Sequence, residues 1–453
     1  MDSMDNVRER FEVLEQRTEH LQLHTQALEA QTRTVGRRLR RWRLPWTVAA
    51  VATLGLALAL PLAIQAKTFH CGAGDVQCLI DAINAANANG KKNTIRLEAG
   101  TYTLTRVDND DLSTGATGLP VVTSPLTITG AGAESTIIER ALGFTLPFFH
   151  LMHVATAGSL TLKELTLRGG IAGRGRGGGA IINDGTLTIL HCTLTGNFAG
   201  PDSPGGAIST SGPVTIIGST LTDNFGDVAG GIALGCFENP SCTLTIRNST
   251  LARNRAPFGG GGAISAGGTV TITNSTLTDN SAGIGGAIAT GGTVTITNST
   301  LADNHAASFA LGDRGIGGGI IAAEGATVKL LNTILARNTV GSGGVGPDCD
   351  GPVTSLGNNI VGDASGCTLT LQSSDLTGDP GLDAFTDNGK PGNGHVPLLP
   401  TSQAIDAGND AVCPRRDQLG QRRINIRRVG TSICDIGAIE FHPHDEDPVE
   451  ESE

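Results

Sequence analysis

The stretch TVTITNSTLTDN at 269–280 returns as TVTITNSTLADN at 293–304. Related versions read TLTIRNSTLARN (243–254), PVTIIGSTLTDN (213–224), TLTILHCTLTGN (186–197) and TVKLLNTILARN (327–338). SLTLKELTLRGG (159–170) is a degenerate first copy. The copies begin at 159, 186, 213, 243, 269, 293 and 327, so successive spacings are 27, 27, 30, 26, 24 and 34 residues. A repeat of this length, built from β-branched residues with one turn per copy, is the mark of a solenoid.

Within a copy, Val270 and Ile272 alternate with Thr271 and Thr273, the period of a strand with one apolar face. The period breaks at Asn274-Ser275, because Ile272 and Leu277, five apart, cannot share a face of one straight strand. A bend there returns Leu277 to the same interior from a second face. Asn280 is expected to close that strand in a left-handed conformation. A third apolar dipeptide follows paired glycines: Ala180-Ile181, Ala207-Ile208, Ala263-Ile264, Ala287-Ile288 and Ile320-Ile321. Three short strands and three turns describe one rung of a parallel β-helix, an all-β, three-faced solenoid. Stacked rungs predict a leucine column (Leu194, Leu221, Leu251, Leu277, Leu301, Leu335). They also predict two asparagine ladders, one of Asn224, Asn254, Asn280, Asn304 and Asn338, the other of Asn248, Asn274, Asn298 and Asn332. Glycine, 64 of 453 residues, is about twice its usual share of roughly 7%, as turn-dense coils require.

The N-terminal part has another texture. Residues 44–66 carry no charge and follow Arg37, Arg38, Arg40, Arg41 and Arg43, the pattern of a transmembrane helix with a cytoplasmic N-terminus. A signal peptide cut after Ala66, releasing a secreted protein, is the competing reading. Over residues 1–43, Val7, Leu14, Leu21, Leu28 and Val35 recur every seven residues. They suit a weak coiled coil that would make a homo-oligomer, or a single amphipathic helix. The division expected is therefore a cytoplasmic helix (1–43), a membrane anchor (44–66), the β-helix (67–375), a C-terminal cap (376–441) and an acidic disordered tail (442–453).

Residues 67–453 hold 23 Lys+Arg and 36 Asp+Glu, a net charge of 23 − 36 = −13, which disfavours nucleic acid as a partner. All nine cysteines fall in this part, and Cys71/Cys78, Cys236/Cys242, Cys349/Cys367 and Cys413/Cys434 are close in sequence. Four local disulfides fit an extracellular or periplasmic compartment; a zinc site is the alternative. Cys192, at a position held elsewhere by Ser219, Ser249, Ser275 and Ser299, reads as an unpaired thiol.

A solenoid end needs a cover. Residues 75–89 begin with an N-cap Asp75 and place Val76, Leu79, Ile80, Ile83 and Ala86 at helical spacing, so a helix is expected to plug the first rung. The stretch GDPGLDAFTDNGKPGNGHVPLLPTSQAIDAGND (378–410), with CPRRDQLGQRR (413–423) and CDIGAIEF (434–441), resembles the choice-of-anchor Q domain of bacterial surface proteins. The helix at 78–87 and PLTITGAGAESTII (125–138) resemble the N-terminal part of the same proteins. The resemblance implies a pectin-lyase-like right-handed parallel β-helix, displayed at or released from the cell surface, with no defined activity. Asp406, Arg422, Arg423 and Asp435 match the terminal domain's polar positions, and Asp–Arg pairs are expected to tie the Cys413–Cys434 loop to the last rung.

Catalysis on such a coil needs carboxylates and a basic group on one outer face. The best column is Asp223, Arg253, Asp279, Asp303 and Arg337, each just before a ladder asparagine. Arg253, Asp279, Asp303 and Arg337 form the candidate glycan-binding set, or the site of a polysaccharide lyase or hydrolase; a self-compensating charge ladder is the structural alternative. Asp108, Asp110 and Asp111 offer oxygen ligands for calcium, but an EF-hand's glycine and distal glutamate are missing, so no cofactor is assigned. The expectation is a membrane-anchored surface protein that binds a polysaccharide or cell-surface ligand without catalysis, with the lyase or hydrolase reading as its rival.

Overall fold

A computed structural model describes residues 65–443, apart from 112–114, 144–145, 174–176, 202, 236–241, 308–313 and 427–433. The heptad seam, nearly all of the apolar run, Cys236 and the tail beyond residue 443 lie outside the described residues. No helix among the described residues is long and apolar enough to cross a membrane.

The repeat coils as its pattern requires. Strands such as Thr243–Arg247, Thr269–Thr273 and Thr293–Thr297 pair in parallel, one rung on the next. They form one face of a 19-stranded sheet. Its other face holds Ile264–Ala266, Ile288–Thr290 and their equivalents, and Cys349–Ser355 pairs with both faces and joins them. The short strands Thr250–Ala252, Thr276–Thr278 and Thr300–Ala302 belong to an 11-stranded sheet. These three surfaces are called the first, third and second faces below.

Leu251, Leu277 and Leu301 are in register and fully buried, as are Ile246, Ile272 and Ile296. Each such side chain contributes about 1.5–3 kcal/mol by leaving water. On the third face the column runs Ile264, Ile288, Ile320, so Ile320 rather than Ile321 fills the stacked position in the Ile320-Ile321 copy. The paired glycines divide two tasks. Gly285 takes a left-handed φ of 60°, and a Cβ on Gly286 would meet Gly318 O, on the main chain of the next rung, at 2.1 Å.

The N-terminal end is closed by helix α1 (Val76–Asn89). Asp75 Oδ1 accepts the Cys78 amide at 2.9 Å, and Leu79, Ile80, Ile83 and Ala86 face the core. The Cys71–Cys78 disulfide fastens this cap, and Cys349–Cys367 and Cys413–Cys434 are also bonded. Cys242 is disulfide-bonded. Cys192 is free, fully buried, and its thiol pKa is pushed up to about 12 by burial.

Two expectations need correction. The left-handed residue is the one before the ladder asparagine: Asp223, Arg253, Asp279, Asp303 and Arg337 have φ between 54° and 61°. That bend lets the asparagine side chain turn inward. The second proposed amide ladder does not bond to itself either. Asn274 Nδ2 donates to Arg416 O (2.8 Å), Asn298 Nδ2 to Cys413 Sγ (3.1 Å) and Asn332 Nδ2 to Asn409 O (3.1 Å). These asparagines sit at left-handed bends whose amides point away from the bore, so they meet the C-terminal segment instead.

That segment runs along the side of the coil. Gly392 N donates to Thr220 Oγ1, Thr250 Oγ1 to Gly394 O, Thr276 Oγ1 to Gln418 Oε1, and Ala438 N to Thr300 Oγ1. Residues from about 382 to 426 and from 434 to 439 therefore lie across the outer surface of the second face. A second apolar cluster joins Ile334 and Ile360 of that face to Leu398, Ile405, Ile436 and Ile439 of the segment.

Candidate functional site

The charged column forms in order, one residue per rung, on left-handed bends. Arg253 grips Asp223 with both Nε (3.0 Å) and Nη2 (3.2 Å), and its guanidinium stacks over Phe385 at 5.6 Å. Arg337 Nε donates to Asp303 Oδ1 at 3.0 Å and Nη2 to Asp303 Oδ2, while Nη1 reaches Leu382 O at 2.7 Å. Two arginines thus consume two acids, and the C-terminal segment holds both arginines from the side. Asp279, between the pairs, makes no hydrogen bond or ion pair among the described residues. Burial first, then the Asp303 charge, push its pKa up, against the pull of Arg253 and Arg337. Chemically the column offers one free carboxyl rather than an acid and a base.

The other candidates fall apart in space. Asn109–Asp111 pairs antiparallel with Gly115–Thr117, and Asp108 N donates to Thr117 O. Among the described residues no group of three or more His, Cys, Asp or Glu side chains is placed to hold a metal ion. Asp406 and Asp435 accept main-chain amides, from Ile426 and from Asp406 and Phe441 respectively. Arg423 pairs with Glu440 at 3.2 Å rather than with an aspartate, and its Nη2 touches Asn274 Oδ1, midway along the coil and not at its last rung.

The chemistry the sequence reading passed over lies on the first face. Its central outward row runs in register through Thr94, Thr127, Thr161 and Thr188 to Thr215, Thr245, Thr271 and Thr295. Their neighbours along the strand, Leu126 and Ile128 or Val270 and Ile272, are buried, which turns these threonines to solvent. No hydroxyl in this row bonds elsewhere in the described chain. Side rows add Thr269, Thr273, Thr293 and Thr297, giving a grid of hydroxyls about 4.8 Å apart between rungs and about 6.7 Å apart along a strand.

The charges on this face share one sign. Arg96, Lys163 and Arg247 occupy outward positions beside the central row, and Lys329 stands in it. No acidic residue occupies the paired strands of this face between Asn93 and Leu331. In a region of net charge −13, that is a basic, hydroxyl-rich strip. The alternation of threonine with aliphatic residues carried this signal; its continuity required the register.

The model of the right-handed β-helix region matches residues 152–301 and 207–379, which together span just over half of the chain. No curated protein matches. Among solved structures, the A-module of the mannuronan C-5 epimerase AlgE6 of Azotobacter vinelandii is similar at 14% identity, over 68% of this chain and 96% of that one, with a TM-score of 0.29. With strands paired in parallel on every face of the coil and the repeats inside the matched span, the chain belongs to the right-handed β-helix family.

Proposed function

We propose that this β-helix binds an extended acidic polysaccharide along its first face and holds it without cleaving it. The observation that carries the reading is the unbroken threonine row with Arg96, Lys163, Arg247 and Lys329 on the same face and no carboxylate among its strands. A flat grid of unengaged hydroxyls can exchange hydrogen bonds with sugar hydroxyls over many rungs, and spaced cations favour a polyanion over a neutral chain. The uncharged run at 44–66 behind five arginines supports display from a membrane with the coil outside the cytoplasm. The IDAG and CDIGAIE strings support placing it among choice-of-anchor Q surface proteins.

Affinity electrophoresis in gels containing polygalacturonate or a neutral β-glucan tests this. The protein is expected to be retarded by the acidic polymer alone, less so at high salt, and the Thr271→Glu/Thr295→Glu variant to migrate freely. Equal retardation by the neutral polymer, or an unaffected variant, would sink the reading.

The unpaired Asp279, with its raised pKa, favours a second reading as a lyase or hydrolase acting at Arg253, Asp279 and Asp303. Unsaturated or shortened products from polygalacturonate, lost in Asp279→Ala, would establish it.

A further inference from the structure

A cleft of about 600 Å³ opens in the C-terminal segment beside the Cys413–Cys434 disulfide, lined by Asp410, Arg415, Arg416, Arg422 and Arg423. Its walls are the two legs of a tight turn joined by a single β-bridge. Arg416 and Arg422 form an antiparallel bridge, Arg423 N donates to Arg415 O, and the turn between is set by Asp417 Oδ1 accepting the Gln421 amide at 2.7 Å. Arg416 and Arg422 are therefore directly opposed. Like charges directly opposite one another destabilise a strand pair.

The arginines are unequally committed. Arg423 is buried and held by Glu440, Asp435 O and Gly437 O, yet its Nε has no partner. Arg416 uses Nη1 on Gly420 O. Arg415 and Arg422 are exposed and their guanidiniums engage nothing in the described chain. Of the four guanidinium groups, Arg423 is paired with Glu440, Arg416 is held by a carbonyl, and those of Arg415 and Arg422 engage nothing among the described residues, which leaves two planar cations able to receive an anion.

The cleft also adjoins the threonine face. Asn274 and Asn298, which follow Thr273 and Thr297 directly, bond to Arg416 O and Cys413 Sγ. We propose that Arg415 and Arg422 clamp the carboxylate or sulfate of a single acidic sugar, making the cleft the charge-selective subsite for a polymer lying on the first face. This rests on the polymer-binding reading for its biological sense, but the monosaccharide site stands or falls separately.

The intact chain is titrated by calorimetry with galacturonate, N-acetylglucosamine 6-sulfate and glucose, alongside Arg415→Gln/Arg422→Gln and Thr271→Glu/Thr295→Glu. Both arginines are exposed and unpaired among the described residues, and Arg422→Gln relieves the opposition to Arg416, so the first variant is expected to melt no lower than the parent. At least one acidic sugar is expected to bind, weakening tenfold or more in the arginine variant and keeping its affinity in the threonine variant; glucose is expected not to bind. Binding by galacturonate alone assigns the site to carboxylates, and binding by the sulfated sugar alone assigns it to sulfate esters. Absence of binding by both, equal binding of glucose, or an unchanged affinity in the arginine variant overturns the proposal. In the parent, monosaccharide binding without polymer retardation fails the face and leaves the cleft standing, and retardation without monosaccharide binding fails the cleft alone.

Discussion

Asn280 Nδ2 donates to Asn304 Oδ1 at 3.0 Å, and the same bond recurs from Asn197 to Asn224, Asn224 to Asn254, Asn254 to Asn280 and Asn304 to Asn338. Each amide also donates to a main-chain oxygen of the rung below, Leu251 O for Asn280. Asp348 ends the column by accepting from both Asn338 N and Nδ2. A polar stack runs through a dry interior because every member satisfies its neighbour.

The middle of that ladder is where substitution costs most. Asn280→Ala removes the amide's donors to Leu251 O, Thr278 O and Asn304, and the acceptor for Asn254 N and Nδ2. The expected loss is about 2–4 kcal/mol, from buried groups left without partners. Denaturant unfolding of the intact chain reads it; a loss within experimental error would mean the stack is decorative.

One column over, a substitution should stabilise. Asp279 sits at φ 54° with no hydrogen-bond or ion-pair partner among the described residues and with Asp303 on the next rung. Asp279→Gly relieves both the left-handed strain and the repulsion, and a gain of about 0.5 kcal/mol or more is expected. Asp303→Gly relieves a φ of 60° but strips Arg337 of its carboxylate, so it is expected to destabilise. The same sign for both variants would refute this account of the column.

The buried asparagine ladder and the leucine column were legible because repetition states its own register: equal residues at equal offsets must stack; the capping helix was legible from its N-cap and helical apolar spacing. The lateral position of the C-terminal segment was not, since Thr250 and Gly394, or Thr276 and Gln418, lie 144 and 142 residues apart and one partner of each pair does not repeat. One clue was available. Ile334 and Ile360 replace the outward threonines of the second face, and an apolar outward residue needs a cover. The arginine cleft was hidden for the same reason: Arg422 and Arg423 were legible as polar positions, but their meeting with Arg415 and Arg416 is made by a turn.

Stability should fall as pH rises. Burial is the main cause that pushes Asp348 and Asp435 from 3.8 to about 6, and burial followed by the Asp435 charge pushes Glu440 from 4.5 to about 8. Acids with raised folded pKa values bind more protons native than unfolded, so their contribution is complete below about pH 4 and is lost as pH climbs through 6 to 8. Thermal melting from pH 4.5 to 8.5 should show a declining midpoint. A midpoint that rises across this window would contradict the raised pKa values of these three buried carboxyls.

The covering segment should detach before the coil unwinds. Gln418 is its main polar fastener: Oε1 accepts Thr276 Oγ1 (2.7 Å), and Nε2 donates to Gly392 O and Gly394 O (both 2.8 Å). The coil's ladders do not pass through it. In Gln418→Ala, Thr276 loses its acceptor and Gly392 O loses this donor in a buried seam, while Gly394 O keeps Thr250 Oγ1, a cost of about 1–3 kcal/mol confined to the docking interface. Hydrogen exchange is expected to quicken across residues 382–441 while the strands Thr269–Thr273 and Thr293–Thr297 keep their protection. Uniform acceleration through both regions would show instead that segment and coil unfold as one cooperative unit, and that the second apolar cluster is part of a single core.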